Sequence, residues 1–335
     1  MASKWQGLPF NPISVKYEKH FGEKIYKIPV TVVDNCPNRM GLKGMTTCSF
    51  CDVWGSAAHS ESFQMPLEDQ IEKYSKLLNK RYKANSFLVY FQAYTNSFTK
   101  ILHLRESFDR ALKYPFVRGI VIGTRPDCLS KSVIDLWNEY SQKTFVSVEL
   151  GVQSFNNNHL EFMKRGHTGE DSLKAIHRIA KESTVDLGIH LIIGSPGETE
   201  AQIKEQALIC NDLPITNVKL HNLHVLKKTK LEELYNIGEF APIDLQTYSE
   251  RVQIFIENLS PRIYLHRLAA YSPRWDELVA PMWTANKMGT HQHIIDFLHE
   301  RESYQSKAYV TQSDGEKALK KHLFLQSHMP ASLTV

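Results

Sequence analysis

Through the first two-thirds of the chain, short apolar runs alternate with longer stretches in which apolar positions recur every three or four residues. The run YKIPVTVV over 26–33 predicts a strand. Leu67, Ile71, Tyr74, Leu77 and Leu78 share one helical face with charges between them, which predicts a helix over Leu67–Tyr82. FLVYFQ over 87–92 is apolar and aromatic, a buried strand. The alternation continues with helices over 101–114, 131–142, 172–182 and 200–213, and strands over 119–123, 145–150, 187–193 and 217–223. Six strand-plus-helix units with nearly continuous Val, Ile and Leu predict a parallel sheet covered by helices. Right-handed crossovers curl such units into an α/β fold, an open partial (β/α)6 TIM-like barrel, with its chemistry at the C-terminal ends of the strands. A helix over 245–259 and a strand over 263–268 come next, then Trp- and His-containing helices and a basic tail of weak patterning. The expected organisation is a core domain over 20–258 and a C-terminal α/β extension with the tail over 259–335.

Composition narrows the class. The 335 residues are 42% apolar and 23% charged, which excludes disordered, collagenous and coiled-coil chains. A net charge of +4 permits a nucleic-acid partner without arguing for one, because a basic surface depends on clustering. No apolar run approaches the ~18 residues of a membrane span. The opening MASKWQG lacks the basic-then-apolar layout of a secretory signal, so a cytoplasmic protein without membrane contact is expected. Five cysteines are too sparse and too odd for a disulfide framework.

Their placement says more than their number. Cys36 follows the first strand, and Cys48 and Cys51 close a two-residue gap whose turn puts both sulfurs on one side. Cys128 and Cys210 have no partner spacing and read as small buried residues. Three thiolates at one place are soft ligands that select zinc or an iron–sulfur cluster. A structural zinc would need a fourth ligand, for which His59 is the candidate. Three cysteines without an evident fourth ligand fit a four-iron cluster with one iron left open.

The C-x11-C-x2-C spacing, with Phe50 before the last cysteine at the head of a βα series, resembles the radical S-adenosylmethionine (SAM) superfamily. The likeness to its Elp3-like and oxygen-independent coproporphyrinogen-oxidase-like branches continues in three places. These are Thr124-Arg125-Pro126-Asp127, the stretch from Glu149 through Gln153 to Arg165-Gly166-His167-Thr168, and the stretch from His190 through Gly194-Ser195-Pro196-Gly197-Glu198-Thr199. Phe91-Gln92-Ala93-Tyr94-Thr95-Asn96, His266-Arg267-Leu268 and Pro273-Arg274 narrow it to the YhcC/YtqA-like group.

The resemblance implies that Cys36, Cys48 and Cys51 hold a [4Fe-4S] cluster whose open iron is chelated by S-adenosyl-L-methionine. Reductive cleavage then gives a 5′-deoxyadenosyl radical that abstracts hydrogen from substrate, with electrons from a flavodoxin or ferredoxin. It implies Gln92 at the SAM amino group, Gln153 at the ribose, Arg165 at the carboxylate, and the Gly194–Thr199 turn near the adenine. Glu149 is a further candidate contact; buried, it needs a cation, for which Arg125 or Arg165 is expected. His190 is expected either in the lumen or hydrogen-bonded in the core.

The sequence departs from the pattern at Gln92, where many members carry Gly-Gly-Glu, and at Ser195, where the branch usually has leucine. It departs again at Ala269-Ala270-Tyr271-Ser272, where the group usually has Gly-Asp. The implied substrate is a tRNA wobble uridine; a porphyrin-like or peptide substrate and a zinc-stabilised nucleic-acid-binding module are the alternatives. Lys219, His221, His224, Lys227, Lys228 and Lys230, with Lys320, Lys321 and His322, are either phosphate contacts or ordinary solvated faces.

Overall fold

The structure, a computed structural model, describes residues 5–55, 57, 60–272 and 274–309. His59, Pro273, Lys320, Lys321 and His322 lie outside the described residues. The apolar runs form β1 (Ile25–Val30), β2 (Ser86–Phe91), β3 (Val117–Thr124), β4 (Phe145–Gln153), β5 (Asp186–Ile193) and β6 (Asn217–Asn222). They pair in chain order, all parallel, and the sheet gains a short seventh strand beside β6. Between those two strands in sequence lies β7 (Val225–Leu226), so the seventh sheet strand is β8 (Tyr264–Leu265). A two-stranded antiparallel ribbon joins β7 to β9 (Leu278–Ala280). The expected α/β half-barrel therefore forms, with the extension supplying its last strand.

Amphipathic segments cover the sheet. They are α1 (Ile13–Phe21), α2 (Leu67–Tyr82), α3 (Ile101–Leu112), α4 (Lys131–Ser141), α5 (Asn157–Phe162), α6 (Gly169–Glu182), α7 (Glu200–Asp212), α8 (Lys230–Asn236), α9 (Leu245–Asn258) and α10 (Lys287–Glu300). All six residues of β2 are buried, and Phe91, Phe108, Trp137 and Tyr140 fill the layer between sheet and helices. Among the described residues no helix is long and apolar enough to cross a membrane.

Two boundaries differ from the expected ones for reasons that matter to the site. The first strand stops at Val30 because the next peptide pairs with a side chain. Thr31 N–H donates to Gln70 Oε1 at 2.8 Å and its carbonyl accepts from Gln70 Nε2 at 2.9 Å. The chain thus leaves the sheet before Cys36. The fourth strand runs three residues past the expected end, but its ladder shifts between Leu150 and Gln153, where Gln153 takes φ +71°.

Candidate functional site

The three clustered cysteines line one end of a cavity of about 1070 Å³ at the barrel mouth. Cys48 is buried, Cys36 and Cys51 partly so. Their loop is tied down from several sides. Cys51 N–H donates to Cys48 O at 3.0 Å, making the tight turn expected of a two-residue gap. Ser49 N–H donates to Met163 O, Leu231 N–H donates to Ser49 O, and Asn38 Nδ2 donates to Thr46 O and Lys164 O. Burial, reinforced by the neighbouring Cys48, pushes the Cys51 thiol up to about 12, so without a metal it stays protonated at neutral pH.

Among the described residues, no three His, Cys, Asp or Glu side chains converge on a point where a single ion could sit. One zinc needs such a point, with all ligands at ~2.0–2.3 Å from it. A four-iron cluster takes each thiolate on a separate iron, so the sulfurs need not converge. The surroundings fit that anionic group. Arg165 Nη1 is 3.2 Å from Cys48 Sγ, Arg39 Nη2 is 3.8 Å from Cys51 Sγ, and the buried Nε of Arg165 has no partner among the described residues. Guanidinium donors aimed at cluster sulfurs are what an iron–sulfur site needs and a dry hydrophobic loop does not.

Gln92, Gln153 and Arg165 line the same cavity. Arg165 Nη2 donates to Gly151 O at 2.9 Å, and Arg125 Nη2 donates to Arg165 O at 2.6 Å, so the arginine is fixed from both ends. A Cβ on Gly151 would sit 2.9 Å from Gln153 Nε2 and 3.3 Å from Arg165 Nη2. Glycine at 151 is therefore what lets both side chains share the mouth. Gln153 holds a left-handed backbone and its side chain makes no hydrogen bond among the described residues. Strained backbone of this kind clusters at ligand sites. Gln92 follows β2, with its N–H donating to Val30 O at 3.2 Å.

Glu149 lies on the same strand four residues before Gln153, ~13 Å deeper at the usual rise per residue. Neither arginine expected to pair with it does so. Arg125 instead grips Asp127 with Nε at 2.9 Å and Nη2 at 2.8 Å, and Arg165 points to Cys48. The reason is alternation along the neighbouring strands, which brings Lys27 of β1, His190 of β5 and Lys219 of β6 onto the same lumen face. Lys27 Nζ contacts Glu149 Oε1, His190 Nε2 is 2.6 Å from Oε2, and Lys219 Nζ is 3.2 Å from Oε2. Burial alone would raise the Glu149 carboxyl. Lys219 and Lys27, then His266 and His190, hold it well below the usual carboxylate range. Burial pushes Lys219 down to about 7 in spite of Glu149. His190 thus has both expected traits, a lumen position and a core hydrogen bond.

The candidate basic cluster on β6 and the loop that follows it splits in two. Lys219, His221 and His224 line the cavity, whereas Lys227, Lys228 and Lys230 are exposed. Lys228 and Lys230, with Arg39, border a hollow of about 220 Å³ on the outer side of Cys48 and Cys51. The glycine turn does not line the cavity among the described residues. Gly194 N–H donates to Glu198 Oε2 at 2.7 Å, and Arg251 holds that carboxylate at 3.1 Å.

Arg274, which the sequence marks only as part of the Pro-Arg resemblance, ties the extension to the cysteine loop. It pairs with buried Asp52, donates to Ala57 O at 2.8 Å and meets Glu277 Oε2 at 2.7 Å. Trp54 Nε1 also donates to Glu277 Oε1 at 3.0 Å. The segment before β9 is thereby bolted to the cysteine loop. The contacts between the two segments join residues 217 to 223 positions apart in sequence, so no local pattern signals them.

Comparison with known proteins identifies the family. The Radical SAM superfamily model matches residues 30–210 and the Radical_SAM C-terminal domain model matches 215–300. MJ0486 of Methanocaldococcus jannaschii is 34% identical over 304 residues, 90% of this chain and 92% of that one. YtqA of Bacillus subtilis is 29% identical over 300 residues, 90% of this chain and 92% of its own. YhcC of Escherichia coli is 29% identical over 283 residues, 84% and 90% of the two chains. A tRNA uridine(34) acetyltransferase of Methanocaldococcus jannaschii is 35% identical over 127 residues, 37% of this chain and 23% of that protein. In fold, the chain is similar to the solved Elp3 of Methanocaldococcus infernus, with a TM-score of 0.62 at 18% identity, spanning 84% of this chain and 64% of that one. The chain belongs to the radical SAM superfamily, within the group of MJ0486, YtqA and YhcC, and the cofactors of that superfamily are a [4Fe-4S] cluster and S-adenosyl-L-methionine.

Proposed function

We propose that this chain is a radical SAM enzyme that modifies the side chain of the tRNA wobble uridine. In this reading Cys36, Cys48 and Cys51 hold the cluster, and Gln92, Gln153 and Arg165 receive SAM at the mouth. The observation that carries it is the Arg165 guanidinium 3.2 Å from Cys48 Sγ, on the wall it shares with the partnerless Gln153. The cluster on Cys36, Cys48 and Cys51, with SAM held by Gln92, Gln153 and Arg165, would supply the radical chemistry for taking a hydrogen atom from carbon. The chain's own part is to orient and to shield. Gln153 offers both a donor and an acceptor to ribose hydroxyls. Arg165 keeps its unpartnered Nε for an anion. Glu149 holds Lys27 and Lys219 in the lumen below.

Members of the superfamily need a one-electron donor. An acidic flavodoxin or ferredoxin suits the exposed Lys227, Lys228 and Lys230 beside the cysteine loop, and the reducing cytoplasm is where both would meet. The tRNA reading draws on the partial likeness to the archaeal tRNA uridine(34) acetyltransferase and on the fold shared with Elp3. Comparing modified nucleosides in tRNA from cells with and without the protein tests it. A wobble nucleoside that disappears, or a precursor that accumulates, supports the reading; identical profiles overturn it.

A further inference from the structure

Side chains facing the lumen stand in two tiers that differ in charge balance. In the deeper tier Glu149 is neutralised by Lys27 and Lys219. The outer tier has no such anion. Arg267 follows β8, and Leu220 N–H donates to Arg267 O at 3.3 Å. The register Gln153↔Leu191↔Leu220 sets Arg267 level with Gln153. Its Nη2 lies 2.8 Å from His221 Nδ1 and 3.4 Å from Nε2, so the guanidinium rests against the imidazole ring. Its Nε is buried without any partner, and no carboxylate pairs with it among the described residues. Lys287, the first residue of α10, also lacks an acidic partner among them, its Nζ lying 4.7 Å over the Tyr271 ring.

The whole cavity is one-sided. Of the charged side chains lining it, ten are Lys or Arg and two are acidic, Asp52 and Glu149. Both acids are already paired, Asp52 with Arg274 and Glu149 with the two lysines. A buried guanidinium with an unused N–H, beside a neutral imidazole and an unpaired ammonium, is an incomplete ion site. Nothing within the described residues completes it.

We infer that Arg267, His221 and Lys287 form an oxyanion subsite at the barrel mouth that binds a phosphate or carboxylate group carried by the substrate. This rests on the reading of the cavity as the place where substrate is received, and it restricts that substrate to one bearing a negative group. An apolar peptide segment or an uncharged nucleoside would leave Arg267 as exposed to desolvation as before, and so would gain little there. The guanidinium fork supplies the donors to the oxyanion, with the His221 imidazole beside it and the Lys287 ammonium on the same cavity wall.

The test is calorimetric titration of the cluster-loaded protein, with SAM bound, at low ionic strength. The probes are inorganic phosphate, acetate, uridine 5′-monophosphate and uridine. The expected result is saturable binding of phosphate or acetate, weakened about tenfold or more in Arg267→Gln and partly retained in Arg267→Lys. Tighter binding of the monophosphate than of uridine identifies a nucleotide phosphate as the source. Preference for acetate over phosphate identifies a carboxylate. His221→Asn gives a second reading should Arg267→Gln unfold on melting. Absence of binding by both anions, or equal affinity in wild type, Arg267→Gln and His221→Asn, overturns the subsite. SAM cleavage by the wild type without substrate is scored separately, so failure of the enzyme reading and failure of the subsite give different results.

Discussion

At the scale of single residues, the site is made by what surrounds the cysteines as much as by the cysteines. Cys36→Ala, Cys48→Ala and Cys51→Ala should each abolish iron retention, whereas Cys128→Ala and Cys210→Ala should leave the iron content unchanged. Chemical iron assay after anaerobic reconstitution checks both halves. Cys210 is wholly buried in the core, so its replacement should cost about 1 kcal/mol of stability and nothing at the cluster. Gly151→Ala tests the sharing of the mouth. The added methyl meets Gln153 Nε2 at 2.9 Å and Arg165 Nη2 at 3.3 Å, so SAM affinity by equilibrium dialysis should fall about tenfold while the fold persists. Unchanged affinity would remove both side chains from the SAM site. That the three cysteines share one end of the cavity was readable in the sequence because their spacing is local. The partners of Glu149 were not, because strands β1, β5 and β6 bring Lys27, His190 and Lys219 to it from positions between 41 and 122 residues away.

Among the elements, periodicity foretold what local physics controls. Strands β2 to β6 and helices α2 to α4 appear where apolar runs and helical faces placed them, because burial on both faces dictates their composition. The start of α6 was missed by three residues, for the helix begins at a capping box. Thr168 accepts from Asp171 N–H while the Asp171 carboxylate accepts from Thr168 N–H. Short elements such as α5, α8 and the β7–β9 ribbon carry too few residues to show a period. The ribbon nonetheless matters, since it delivers Arg274 to Asp52. Removing the guanidinium breaks a buried ion pair, a loss of about 3–5 kcal/mol for such pairs. Arg274→Met should therefore loosen the cysteine loop. Faster loss of iron to a chelator is the expected readout, and wild-type kinetics would show that the bolt is not needed.

Across the whole molecule, the half-barrel encloses an unusual number of histidines kept neutral by burial and by nearby cations. His190, beside Lys219, and His224 are pushed down to about 4, as is His159 beside Arg251, and His167, beside Arg165 and Arg125, to about 3. A histidine whose folded pKa lies below its unfolded ~6.5 binds its proton more readily when unfolded. Stability is thus fully present above pH 6.5 and is lost as pH falls toward 4, by about 1.4 kcal/mol per pH unit for each such proton. The urea midpoint of the cluster-loaded protein under argon should drop steeply between pH 6.5 and 5; a flat profile would mean these rings are charged in the fold. The central claim is that this mouth binds SAM at a cluster held by three thiolates and cleaves it. Its most direct test is to give dithionite-reduced, iron-loaded protein SAM and measure 5′-deoxyadenosine. The account predicts release that requires Cys36, Cys48 and Cys51 together, and no release from the loaded wild type would contradict it.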